Sequence, residues 1–187
     1  RLSTANNLLE FKTNQSDLKE NLVTARGLAR DRFLGFGAPL EKDEYWKFSS
    51  PERFTTTDAL NKKKSRGREF PDNDNTDAIK IVFLDGVLDE SASDLSHCDT
   101  GLEIISMRDK RKANEAWIQQ FYGELESISH TEVHRPLASL NTACASEGVF
   151  IRVNKNLSKK IIIHYLGEKE NSDSIIHNLV KLEKGTS

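Results

Sequence analysis

The feature that most constrains the fold is a run of three strand-like segments with no helical period between them. They cover residues 149–153, 160–166 and 174–182, and short polar stretches separate them. A βαβ fold places a helix between successive parallel strands, so this order excludes that class. A sandwich, a meander or a β-helix remains, because three segments are too few for their spacing to decide among these folds.

The first third of the chain has a helical period instead. Its apolar residues recur at steps of three and four, which predicts a helix over residues 18–33 with one apolar face. Ser16 and Asp17 are the candidate caps of this helix, and Gly35 is its candidate stop. A shorter apolar group at residues 8–11 predicts a turn or two of helix before it. The residues on the apolar face are Leu18, Leu22, Ala25, Ala29 and Phe33.

The middle of the chain changes pattern several times. Residues 59–77 are rich in Lys, Arg, Asn and Asp, which predicts a solvated loop. Strand signals follow at 79–84 and 102–107, and Asp85-Gly86 predicts a tight turn into Val87-Leu88. A helical face then recurs from Ala113 to Leu125, and a short helix is predicted from Pro136 to Cys144. Helices and strands that do not alternate predict the α+β class.

Composition excludes several classes of function. The 27 basic and 29 acidic residues leave a formal net charge of -2, so no overall field attracts nucleic acid or an anionic membrane. No run of about 18 apolar residues and no signal-like stretch is present, which predicts a soluble, cytoplasmic protein. The two cysteines, Cys98 and Cys144, are too few for a disulfide framework and fit a reducing compartment.

Two groups of residues are candidate metal or nucleophile sites. His130 and His134 have the spacing of two ligands on one helix face, with Cys144 further on. The sequence between them does not give the H-E-x-x-H order, and the following Arg-Pro pair favours an extended chain, so solvated or capping histidines are expected. His97 and Cys98 are adjacent in a polar stretch, but no third group is placed to orient them as a nucleophilic pair.

The remaining candidates also have structural interpretations. The basic cluster over residues 62–68 has no interleaved aromatic residues and is followed at once by acidic ones, so a solvated loop is expected rather than a nucleic-acid patch. Trp46 and Trp117 are expected to be core anchors, and Cys144 a small buried residue. No phosphate-binding glycine motif occurs, so the chain is expected to hydrolyse no ATP.

Four short segments share their residues and their order with one protein family. With them the chain resembles the SufD family, a scaffold subunit of the bacterial and plastid machinery that assembles iron–sulfur clusters. Phe48, Ser49 and Leu137 depart from the family pattern, each conservatively. The first segment holds Gly37, Pro39, Asp43, Glu44, Trp46 and Lys47; the others are Phe83 to Gly86, Pro136 to Ala143 and Glu147 to Val153.

The resemblance implies a more specific fold than the sequence patterns alone indicate. It implies a right-handed parallel β-helix, of which this chain would hold the truncated beginning. Residues 1–135 would form an N-terminal, mostly helical α+β domain, and residues 136–187 the opening strands of a β-helix core that continues past the chain end. Residues 18–33 and 45–48 would cap the first coil, which would otherwise expose apolar surface and unpaired backbone groups.

The resemblance also implies a non-catalytic scaffold. No catalytic, cofactor-binding or metal residue is expected in this segment, and no cofactor; the complete SufBCD-type complex would assemble the iron–sulfur cluster. A SufB-like paralogue and a SufC-like ABC ATPase would be the partners, through the missing C-terminal part, and the segment would self-associate. Neither nucleic acid nor a membrane is an expected partner.

Two other functions are alternatives to the scaffold. An enzyme on a β-helix, such as a hexapeptide-repeat acyltransferase or a polysaccharide lyase, would need paired carboxylates or a general-base histidine, and the strands offer His164 and His177 without acidic neighbours in sequence. A stand-alone binding module would present an exposed apolar or aromatic groove. Further strands and a terminal helical pair encoded after Ser187 would favour the scaffold.

Overall fold

A computed structural model of the chain describes residues 2–15, 22–43, 46, 48–55, 77–95, 101–126, 134–167 and 174–186. These residues form both helices and sheets, which confirms the α+β class. None of the described helices is long and apolar enough to cross a membrane. The elements are α1 (Leu2–Gln15), α2 (Val23–Phe36), α3 (Glu52–Thr55), β1 (Ala78–Leu84), β2 (Val87–Leu88), β3 (Leu102–Ser106), α4 (Ala116–Phe121), α5 (Pro136–Cys144), β4 (Val149–Val153), β5 (Lys160–Leu166) and β6 (Leu179–Leu182).

The chain divides into two compact units, each built from two separate stretches. The helical unit comprises Arg1–Ala59 and Asn114–Ser146, and the strand unit comprises Leu60–Ala113 and Glu147–Ser187. The predicted boundary between residues 135 and 136 falls within the second stretch of the helical unit, and the division into 1–135 and 136–187 stays a prediction.

In the helical unit, helix α2 differs from its prediction at both ends. It begins at Val23, after Leu22, whose φ of 59° lies outside the right-handed helical region. The predicted residues Ser16 to Leu18 lie outside the described part of the chain. Gly35 was the predicted stop, but it is a residue of the helix; Gly37 ends it, with a φ of 74° and an N–H that donates to the Phe33 carbonyl. Only the second glycine takes the positive φ that ends a helix in this way.

The other helices of this unit agree with the sequence pattern or extend it. The predicted turn or two near residue 8 is the full helix α1, whose Leu8 and Leu9 are buried. Helix α5 has the predicted bounds, with Pro136 in its first turn, where a missing N–H costs nothing. Trp117 of α4 is buried, as predicted. Ala113, predicted on the same helix, lies in a short 3-10 turn before it.

The strand unit contains two small sheets with the strand orders β2-β1-β5 and β3-β4-β6. Each sheet combines one antiparallel pair, β1 with β2 or β3 with β4, and one parallel pair, β1 with β5 or β4 with β6. The described sheets are therefore mixed, and the right-handed parallel β-helix stays a prediction. Apolar side chains from both sheets form one core: Ile79, Ile81, Phe83, Leu88, Leu102, Val149, Ile151 and Val153.

The predicted strands and the predicted turn are present, with one strand shorter than expected. Asp85 and Gly86 have φ values of 49° and 81°, and the strands that they join pair in antiparallel register. Positive φ at both central residues is what a two-residue type I′ hairpin requires. The last segment forms a strand only at β6, because the side chain of Asn178, rather than a backbone carbonyl, accepts the Val149 N–H.

Candidate functional site

Of the two candidate metal ligands His130 and His134, the structure describes His134. His134 is exposed, and its ring lies 4.5 Å from the ring of Phe36. His130 lies outside the described residues. Within the described ranges, no group of three or more His, Cys, Asp or Glu side chains could hold a metal ion. His134 therefore packs against an aromatic ring. Its distance to His130 is outside what the structure describes.

Cys144 is the described thiol, and it is buried as predicted. Its Sγ lies 3.8 Å from the Thr13 hydroxyl. Burial raises the pKa of the Cys144 thiol, because desolvation disfavours the thiolate more than the neighbouring hydroxyl and cations favour it. A protonated, buried thiol is a poor nucleophile. His97, Cys98 and the basic cluster 62–68 lie outside the described residues.

Buried polar side chains of the helical unit bind the last turn of α5. The Tyr122 hydroxyl donates to the Thr142 carbonyl at 3.0 Å, and Arg26 Nη1 donates to the Ala143 carbonyl at 3.5 Å. The last carbonyls of a helix have no partner within it, so such donors stabilise its end. The sequence gives no signal for the second contact, since more than a hundred residues separate Arg26 from Ala143.

A second polar network lies beside the first. Glu126 accepts Arg32 Nη2 at 2.8 Å through one carboxylate oxygen and the Thr142 hydroxyl at 2.8 Å through the other. Arg32 Nη2 also donates to the Gly123 carbonyl at 2.8 Å. These groups bind one another, so the network braces α2 against the segment after α4. It has the character of a structural ion pair.

The buried Tyr122 predicts a fall in stability at high pH. Burial, chiefly, raises the pKa of Tyr122 from 10 to about 12. The folded chain therefore holds a proton between these values that the unfolded chain releases, and stability is lost as pH rises from 10 to 12. Over this interval Tyr122 alone lowers the free energy of unfolding by up to about 2 to 3 kcal/mol. Urea unfolding at both ends of the interval should show a smaller fall for Tyr122→Phe than for the unsubstituted chain; equal falls would contradict the assignment.

In the strand unit, the buried carboxylate of Glu147 joins three segments of chain. Its Oε1 accepts Arg108 Nε at 2.6 Å, and its Oε2 accepts the Leu88 N–H at 3.1 Å. The Glu147 carbonyl accepts the His177 N–H at 2.9 Å. The pairing of Glu147 with Arg108 was not predicted, although Glu147 opens the last of the four family-like segments. The carboxylate of Glu147 therefore holds parts of the strand unit together.

Strands β5 and β6 carry apolar rows that are in register with the core. On β5, Ile161, Ile163 and Tyr165 pair with core residues of β1; on β6, Val180 and Leu182 pair with core residues of β4. Residues paired in adjacent strands point to the same face of a sheet. These side chains are therefore on the core face, and we call the five together the open layer.

Much of the open layer is exposed. Tyr165 is 59% exposed, Val180 55% and Leu182 57%, whereas their partners in the core are at most 2% exposed. Strand β5 is one of the two edge strands of its sheet, and β6 is one of the two edge strands of the other. They lie at the same end of the unit, because Asn178, just before β6, donates to the Tyr165 hydroxyl at 2.7 Å. Ile161 and Ile163 are partly buried and pack against the core, and among the described residues of the open layer Tyr165, Val180 and Leu182 are the exposed ones.

His164 and His177, the candidate general bases if the chain were an enzyme, also lie near this end. His164 is on β5, in register with Val82, and its neighbours Ile163 and Tyr165 are on the core face, so it is on the opposite face. His177 lies just before β6, and its backbone N–H is bound by Glu147. No paired carboxylates accompany either one on the described strands.

Trp46 is only partly buried, so its prediction as a core anchor holds less fully than that for Trp117. Its ring lies 5.8 Å from the ring of Phe54. Tyr45 and Lys47, which belong to the 45–48 stretch predicted to cap the first coil, lie outside the described residues. Phe48, the next aromatic residue, is 95% exposed.

Substitution of Trp46 by alanine is expected to lower the free energy of unfolding by about 1 to 3 kcal/mol, less than for a fully buried tryptophan. Chemical denaturation followed by circular dichroism measures it. Phe48→Ala is the matched control, with an expected loss under about 0.5 kcal/mol. Equal losses for the two variants would mean that Trp46 does not anchor this segment.

No family model matches the chain, and no curated protein matches it significantly. The family resemblance therefore rests on the four sequence segments.

Proposed function

We propose that this chain is the N-terminal segment of a SufD-type scaffold subunit of an iron–sulfur cluster assembly complex. The observation that carries the proposal is the parallel pairing of β1 with β5 and of β4 with β6, with apolar rows in register. A β-helix stacks its coils in this way, and each coil supplies the next with an inward apolar row. The open layer is then the surface on which a further coil would stack.

The positions of the family-like segments support a structural role. Asp85-Gly86 makes the hairpin turn, Glu147-Gly148 makes the close crossing with residue 177, and Pro136 begins α5. Three of the four segments thus lie where the backbone turns, where two segments approach or where a helix begins. Of their polar side chains, Glu147 binds the Leu88 N–H and Arg108, and the Thr142 hydroxyl donates to Glu126.

In this proposal the chain holds no cofactor, and the cluster is the cargo of the whole complex. A SufB-like paralogue and a SufC-like ABC ATPase are the partners, and they bind parts of the subunit outside this chain. The proposed compartment is the cytoplasm, where thiols stay reduced. ATP turnover belongs to the ATPase partner.

A genetic test addresses the proposal directly. Cells that lack the gene encoding this chain should lose activity of their iron–sulfur enzymes, while a dehydrogenase without iron keeps its activity. The gene should restore the lost activity when supplied on a plasmid. Affinity purification of the tagged gene product should retrieve the paralogue and the ATPase. Unchanged iron–sulfur enzyme activity would contradict the proposal.

A further inference from the structure

We infer that an exposed basic turn of the strand unit binds an acidic segment of another protein. The turn comprises residues 108–112, just after β3, and we call it the basic turn. Its ligand is a stretch of a partner protein that carries several carboxylates close together. The inference rests on the described residues and does not depend on the scaffold proposal.

Four of the five residues of the basic turn are cationic and exposed: Arg108, Lys110, Arg111 and Lys112. Arg108 binds Glu147, yet its side chain stays 42% exposed. In the described part of the chain, neither Arg111 nor Lys112 has an ion-pair partner. The turn is therefore a local surplus of positive charge on a chain whose formal net charge is -2.

Hydrogen bonds hold the backbone of the basic turn in one shape. Asp109 Oδ1 accepts the Arg111 N–H at 3.1 Å and the Lys112 N–H at 3.2 Å. The Asp109 N–H donates to the Ser106 carbonyl at 2.9 Å, and the Asp109 carbonyl accepts the Ala113 N–H at 2.8 Å. The cationic side chains thus extend from an ordered backbone, so binding a ligand costs little backbone entropy.

The composition of the basic turn favours carboxylates over the phosphates of a nucleic acid. Proteins bind single strands with cations and with aromatic side chains on which the bases stack, and residues 108–112 include no aromatic residue. Proteins that bind a duplex often make about six to ten phosphate contacts, more than four cations supply.

An acidic protein segment matches the turn better. Glutamates three or four residues apart on a helix have Cβ atoms about 5 to 6 Å apart, so neighbouring long cationic side chains reach both carboxylates. The Arg111 guanidinium can bind one of them through two parallel hydrogen bonds.

The attraction is short-ranged, because the chain as a whole is slightly acidic. At physiological ionic strength, charges separated by more than about 8 Å are largely screened from each other. Binding should therefore depend on where the cations lie, and total charge should matter little.

Fluorescence anisotropy of a labelled peptide of repeated Glu-Ala-Ala-Glu units, titrated with the 187-residue chain, tests the inference. The expected result is saturable binding at low salt that is lost at about 1 M salt, where the screening length falls to about 3 Å. Arg111→Glu combined with Lys112→Glu should weaken binding by about tenfold or more, because two attractive charges become repulsive.

The matched control is Lys155→Glu combined with Lys184→Glu, which changes the net charge by the same amount. Both lysines are exposed and lie past the Val153 end of β4, whereas the basic turn lies at the other end, where the Met107 N–H donates to the Gly148 carbonyl. A five-residue strand separates these ends by about 15 Å, well beyond the screening length. The control should weaken binding by less than about twofold.

Asp109→Asn gives a result that misfolding does not imitate. The amide oxygen still accepts the two backbone N–H groups, and the only negative charge of the turn is removed. Binding of the acidic peptide should become about two- to fivefold tighter. Circular dichroism verifies that each variant is folded.

Four results would overturn the inference. They are no saturable binding of the acidic peptide; equal weakening by the two double variants, as expected if net charge alone matters; no gain in affinity for Asp109→Asn; and equal or tighter binding of an oligouridine of the same charge, which would assign the turn to nucleic acid.

Discussion

Substitution of Gly148 by alanine is expected to lower the free energy of unfolding by about 3 kcal/mol or more. A Cβ at this position would lie 1.9 Å from the carbonyl oxygen of His177 and 2.8 Å from its carbonyl carbon. Both are backbone atoms, so no side-chain rotation relieves the contact. The segment before β6 would have to move away, and the hydrogen bond from the His177 N–H to Glu147 lies in that crossing.

Urea unfolding of the purified variant measures the effect, and two other glycines provide the control. Gly27 and Gly35 lie in α2, and a Cβ at either meets nothing within 4 Å. Alanine at these helical positions should stabilise the chain by about 0.5 to 1 kcal/mol. A Gly148→Ala variant as stable as the control variants would show that the crossing is looser than described.

Substitution of Glu147 by alanine should have the second largest effect, a loss of about 3 kcal/mol. The change removes the acceptor of the buried Leu88 N–H and the anion bound by Arg108. A buried donor without a partner loses its solvation and gains nothing in return. The loss should appear in the strand unit, and hydrogen exchange of the β2 amides should accelerate.

Glu183→Ala is the matched control for Glu147→Ala. Glu183 also binds an arginine, Arg152, at 2.8 Å, and binds Lys181 at 2.9 Å as well. These cations lower the pKa of Glu183, but its side chain is 32% exposed and binds no buried backbone donor. An ion pair in solvent contributes little to stability. If the two variants lost equal stability, charge rather than burial would explain the importance of Glu147.

The elements that local sequence determines were predicted well. The β-branched run before Asp85-Gly86 gave a strand and a hairpin turn, because positive φ at both residues suits asparagine-like residues and glycine. Pro136 predicted the start of α5 for a similarly local reason. The predicted stop of α2, Gly35, was wrong by two residues. Gly35 and Gly37 can both adopt a positive φ, and only the folded backbone distinguishes them.

The features that distant residues determine were not predicted. Nothing local indicates that Glu147 meets Arg108, or that Arg26 binds the end of α5, since these pairs are far apart in sequence. Local sequence also did not determine which strands pair, because the pattern of residues 160–166 fits a neighbouring strand on either side. The exposed row on β5 and β6 follows only from the register with β1 and β4. The question of which surface binds a partner therefore needed the structure.

The pairing of β1 with β5 also has a consequence for synthesis on the ribosome. Ala78 pairs with Lys160, so β1 leaves the ribosome 82 residues before its parallel neighbour exists. At about 5 to 20 residues per second, the wait is on the order of 4 to 16 seconds. During that time β1 has only the short β2 as a strand neighbour in its own sheet. The nascent chain should therefore depend on chaperones that hold apolar strands, and slower translation between the two strands should lower the yield of folded protein.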